Sequence, residues 1–319
     1  MRFFWGKGGE QSQANKIDYS NLSDDELLDT FRSEKWGNLD ENHRVAVFQE
    51  MENRSAAEQG RNPAQVVSMN EPGYHGGYTD VNNQIKIDVT NDSSYESLDT
   101  YLHESNHAYQ SYCIQIGEGN YDEHTLSMMQ AEMARDERGS LYNYRTGGID
   151  YAVQCNELDS NNRAAAFMLA QENRFGNDPE YQAYMQNREN GYYSAVSTYL
   201  EQHGSQRTAM QQDQAYTAYV RGDISESQFN AINENLNSGQ FIDSPAEECI
   251  RLNESISELN RAYQNEQDET TAQDYLGNIG MGTTEDADVA MAQDYMGSIG
   301  MNGTTGAEGQ GADMSNGME

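Results

Sequence analysis

Cations are what this chain has least of for its size: 19 Lys and Arg stand against 53 Asp and Glu in 319 residues, a formal charge of -34. Displacing counterions from phosphates takes a basic patch, so the deficit excludes nucleic-acid binding and polybasic attachment to an anionic membrane. Cysteine is also sparse. Cys113, Cys155 and Cys249 are odd in number and far apart, which suits thiols in a reducing compartment or plain core residues and excludes a disulfide scaffold. No run approaches the roughly 20 apolar residues that span a bilayer. The aromatic start (Phe3, Phe4, Trp5) turns polar without the apolar stretch of a signal peptide. The expectation is a protein with no membrane span, cytoplasmic or exported by a route that needs no signal peptide. Hydrophobic residues reach only 36%, yet 21 tyrosines help keep aromatics at 10%, a composition that supports a folded core with solvated additions.

What is present is mostly helical in pattern. Ser23-Asp24-Asp25-Glu26 is a capping box, and Leu27, Leu28 and Phe31 give its helix a buried side. A second helix is predicted over 41–58, with Val45, Phe48 and Met51 at helical spacing. Between 65 and 90 the pattern changes: Val66, Val67 and Met69 form a short apolar run, Pro72, Gly73, Gly76 and Gly77 break the chain, and Gln84 to Val89 alternates with period two. This predicts a small antiparallel sheet. Then Asp92, Ser93 and Ser94 offer caps for a helix carrying Leu98, Tyr101, Leu102, Tyr109 and Tyr112, ending near Gly117. Further helices are predicted over 123–138, 151–175, 179–202, 206–220, 225–236 and 245–265. Asp178-Pro179 marks one start, and a capping box at Ser244-Pro245-Ala246-Glu247 marks another.

Beyond 266 the composition turns to Gly, Thr, Asp, Met and Asn, and ten residues from Ala272 to Met281 are echoed by Ala292 to Met301. The expected organisation is a flexible N-terminus (1–20), N-terminal helices (21–64), a body (65–266), and an acidic, disordered tail (267–319) whose two repeats are drifted duplications or short motifs that dock a partner.

Inside the helix that starts near Ser94 lies His103-Glu104-Ser105-Asn106-His107, of the form His-Glu-x-x-His. Residues four apart share one helix face, so both imidazoles reach one ion, and Glu104 is placed to act as general base on a water there. Three protein ligands are usual for catalytic zinc. The third is not in the short pattern that would put Gly and His just downstream, because Gln110 and Cys113 stand there. Further on, Asn156-Glu157-Leu158-Asp159-Ser160-Asn161 lies in a predicted helix, and here the sequence resembles the gluzincin group of zinc metallopeptidases.

That resemblance implies an α+β, mostly helical zincin-like fold with its small sheet before the active-site helix. It implies Zn2+ held by His103, His107 and Glu157, with Glu104 as general base. It also implies that Asn161 stands where an acid would orient a ligand imidazole, and that the strand at Gln84 to Val89 is an edge receiving an extended peptide or protein substrate. His124, near Glu118 and Glu123, is the rival third ligand. His75 reads as a loop histidine, and His43 and His203 as surface residues. Tyr142, Tyr144, Arg145 and Tyr151 are positioned to assist an oxyanion. The alternative to peptide hydrolysis is a metal-binding or inactive zincin-like protein that binds peptides.

Overall fold

Helix starts fall where capping chemistry puts them. In the structure, a computed structural model that describes residues 17–239 and 242–278, Ser23 accepts the Glu26 N–H while the Glu26 carboxylate takes the Ser23 N–H, opening α1 (Asp24–Leu28). A 3-10 turn leads to α2 (Ser33–Trp36), and Asp40 caps α3 (Glu41–Gln59). Phe31 stacks on Trp36, and Phe48 packs at an angle against both and reaches Tyr101. The first 16 residues lie outside the described residues.

The sheet has three strands, β1 (Gln65–Ser68), β2 (Gly76–Thr79) and β3 (Gln84–Ile87), in the order β1-β3-β2. It is mixed rather than antiparallel: β1 runs parallel to β3, with Val66 opposite Ile85, and β2 antiparallel to it, with Gly77 opposite Lys86. The strand at 84 therefore lies at the centre and cannot receive a substrate strand. Its alternating side chains explain the place, since Ile85 and Ile87 are both fully buried. Chain-breaking glycines hid β2. The outer edge of β1 is occupied by α3, whose Gln49 Oε1 accepts the Val66 N–H (2.9 Å) while Nε2 donates to the Ala64 carbonyl (3.0 Å).

A capping box between Ser93 and Glu96 opens α4 (Ser94–Ile116). Next comes α5 (Glu123–Glu132), shorter than predicted because the chain turns at 134–141, where Arg135 bridges Leu141. Then follow α6 (Gly148–Ala152), α7 (Cys155–Ala170), α8 (Glu172–Phe175), α9 (Pro179–Arg188), a π-helical turn (Glu189–Tyr193), α10 (Ser194–Arg221), α11 (Glu226–Leu236) and α12 (Ser244–Asn278). The break predicted between 202 and 206 appears as a kink in α10 at His203. Asp243 rather than Ser244 caps α12, its Oδ1 accepting the Ala246 N–H at 3.2 Å. The chain divides into two units, Met1–Arg261 and Ala262–Glu319. The backbone of α12 continues past 266 to Asn278, so the first repeat begins in a helix; the second repeat lies outside the described residues.

Packing inside the first unit is set by α4. Consecutive helical residues are about 100° apart, so Tyr101 and Ser105 each point about 160° away from His103. Onto that far face falls a buried ion pair from the N-terminal helices: Arg61 bonds Glu52 and donates to Ser105 Oγ (3.1 Å), and Ser105 donates to Glu52 (2.8 Å). The described N-terminal helices thus brace the back of α4 and leave its histidine face uncovered. All three cysteines are buried and free, and no described helix is long and apolar enough to cross a membrane.

Candidate metal centre

Helix α4 presents His103 and His107 on one face, and α7 packs against that face with Glu157. The carboxylate straddles the two rings, its Oε2 3.3 Å from His103 Nε2 and its Oε1 3.3 Å from His107 Nε2. The two Nε2 atoms are 3.0 Å apart, and the rings meet edge to face. Ligand atoms about 2.1 Å from a tetrahedral zinc lie about 3.4 Å from one another, so this triangle is close to the size such an ion needs. Two imidazoles and a carboxylate are also a suitable donor set for zinc. Glu157 is completely buried, and its Oε2 accepts no hydrogen bond. A buried carboxylate set against two ring nitrogens, one of its oxygens orphaned, fits a cation between them. Among the described residues no other group of His, Cys, Asp and Glu converges in this way.

The electrostatics agree. Burial raises the pKa of Glu157, but the His107 and His103 rings more than reverse this and hold it well below the carboxylate range. Burial lowers His107, and the Glu157 carboxylate overrides it, raising the ring to about 9. Tyr144 donates its hydroxyl to Glu157 Oε1. Tyr151 stacks edge-on against Tyr144, 5.9 Å between centroids. Burial first, then the Glu157 charge, pushes both phenols far up, so each remains a donor.

Of the four residues positioned to assist an oxyanion, only these two reach the site. Tyr142 bonds Asp223, and Arg145 pairs with Asp213 at 3.2 Å. The rival ligand is elsewhere too: His124 is buried with its Nε2 3.9 Å from Asp243. His75 meets Asp92 on an exposed loop, His43 pairs with its own helix cap Asp40, and His203 is exposed. Glu104, one residue beyond His103, is half-buried on the side of α4 that β2 lies against; a Cβ added to Gly76 would stand 3.5 Å from its Cγ.

Asn161, expected where an imidazole would be oriented, touches neither ring. Asn161 turns its amide back to the Glu157 carbonyl and accepts from Arg188. The partner of His107 Nδ1 is Gln110 Oε1 at 2.8 Å, with Ser160 Oγ at 3.2 Å. The signal was spacing, since Gln110 follows His107 by three and shares its face. Glu132 had no such signal. From the end of α5 its buried carboxylate accepts the Cys155 and Asn156 N–H groups (2.8 and 3.0 Å), capping the first turn of the helix that carries Glu157. Burial raises its pKa to about 7, even though those two hydrogen bonds favour the ionised form. Compared with models of protein families, with curated proteins and with solved structures, the chain matches none.

Proposed function

We propose that this chain is a zinc-dependent metallopeptidase of zincin type. The observation that carries the reading is the buried Glu157 carboxylate set 3.3 Å from both ring nitrogens of a His-Glu-x-x-His helix. His103, His107 and Glu157 would hold the ion. When bound, zinc supplies a Lewis acid for the scissile carbonyl and makes water nucleophilic at neutral pH. Glu104 takes the proton of the attacking water and delivers it to the leaving amine nitrogen. Tyr144 holds Glu157 through its hydroxyl, and Tyr151 keeps its proton beside it, so a donor stands near the charge that develops. An extended substrate adds to β2, the edge beside Glu104, instead of the central strand.

The test begins with metal content. Purified protein is expected to carry one tightly bound zinc, and His107→Ala to lose it. Glu104→Gln keeps the zinc while cleavage of a mixed peptide library, read by mass spectrometry, falls about 10²- to 10⁴-fold. A zinc-free wild type overturns the metal reading. A zinc-loaded wild type that leaves the library intact overturns the peptidase reading and leaves a metal-dependent peptide binder.

A further inference from the structure

One carboxylate oxygen behind the metal triangle gathers several donors. Asp159 Oδ2 accepts from Asn106 Nδ2, Gln110 Nε2 and the Tyr121 hydroxyl, each at 2.8 Å, and Arg163 Nε lies 3.1 Å from its Oδ1. Gln110 is buried, and its Nε2 also donates to the Asn156 carbonyl at 2.9 Å and approaches Ser160 Oγ at 3.2 Å. With both amide protons committed to acceptors, the carboxamide has one orientation. Its oxygen faces His107 Nδ1, which must then carry the ring proton, and the lone pair of His107 falls on Nε2, the atom that faces His103 and Glu157.

We propose that Asp159 is a positioning residue for the metal centre: through the Gln110 carboxamide it holds His107 in the Nδ1–H tautomer with Nε2 aimed at the ion. This rests on the metal-centre reading above. A neutral amide touches the ring where a carboxylate would otherwise stand, and the fixed negative charge sits one residue further out, anchored to four side chains. Orientation control and charge are thereby separated.

The separation sets the test, made on the full chain. Asp159→Asn removes the charge that orients the amide, and Gln110→Glu places a second carboxylate against Asp159. Each is expected to weaken zinc binding, measured by competition with a chromogenic chelator, about 10- to 100-fold, and to broaden the visible absorption of the Co2+-loaded protein. The double variant Gln110→Glu/Asp159→Asn exchanges the two groups. The carboxylate introduced at position 110 then accepts the His107 proton directly and the amide introduced at position 159 donates to that carboxylate, while the donor to the Asn156 carbonyl is lost, so affinity is expected to return in part. A merely structural role moves the thermal midpoint without this pattern of loss and rescue. If wild type binds zinc and the single variants bind it equally well, or the exchange fails to rescue, the positioning role is overturned while the metal centre stands. If wild type binds none, both fall. Should the single variants not fold, the folded double variant decides alone: zinc binding within about 100-fold of wild type supports the role and no measurable binding overturns it.

Discussion

At His107 a metal ion would compete with a proton for one nitrogen. In the metal-free protein the Glu157 carboxylate raises the ring from its usual 6.5 to about 9 despite burial. A histidine raised on folding contributes stability that is complete below 6.5 and lost as pH rises through about 9. A metal must displace that proton, so the apparent zinc affinity is expected to rise about tenfold per pH unit between about 7 and 9 and to level off above. Titrations with a zinc chelator at several pH values check this; a flat profile would show that His107 is neutral before metal arrives. The same residues mark what was legible. That His103 and His107 meet could be read because residues four apart share a helix face, and that Glu157 joins them because of the residues around it. Gln110 left a spacing signal, three residues after His107 on the same helix face, but Asp159 left none, because a carboxylate that meets that amide from another helix obeys no spacing rule within either one.

Elements were easier to read than their arrangement. Caps fix helix starts locally, which is why Ser23, Ser93 and Asp178 mark them correctly. Sheet order depends on partners distant in sequence. β2 contains Gly76 and Gly77, residues that weaken strands, yet Gly76 is required where β2 squeezes past α4. A Cβ there would sit 2.3 Å from Thr100 Cγ2 and 2.8 Å from the Lys86 carbonyl oxygen. Thr100 can rotate; a backbone carbonyl in the central strand cannot. Gly76→Ala is expected to cost about 1–3 kcal/mol, measured by urea denaturation, and adding Thr100→Ser to recover only part of it. Full recovery would place the whole conflict at Thr100. Glu132 makes the same point for α7: the group that caps it lies 23 residues upstream of Cys155, so no local motif announces it.

Over the whole molecule the charge of -34 sets two behaviours. Two arginines face 16 acids in 241–319, a net -14, which leaves -20 on the rest. Like charges oppose compaction, and salt shortens their reach from about 30 Å at 0.01 M to about 8 Å at 0.15 M. The thermal midpoint is therefore expected to rise with NaCl, by about 2–4 °C for each kcal/mol of repulsion screened. Peptides rich in Lys and Arg are expected to be cleaved best at low salt; scanning fluorimetry and salt-dependent kcat/KM measure the two. Composition fixed these signs without any fold. It did not reveal that α12 runs on to Asn278, because the shift to small polar residues reads as the end of a helix that caps and spacing still permit.

The amide of Gln49 has a consequence for assembly. A sheet can be extended copy by copy only if one molecule's free edge meets a different free edge on the next. Here a side chain of the same molecule already takes two main-chain groups at the β1 edge, the Val66 N–H and the Ala64 carbonyl. Of the two edge strands, β2 is the one that no side chain of α3 bonds, so two copies meeting through their sheets would pair β2 to β2 and close on themselves. The sheet can take a guest without becoming a template for a fibre.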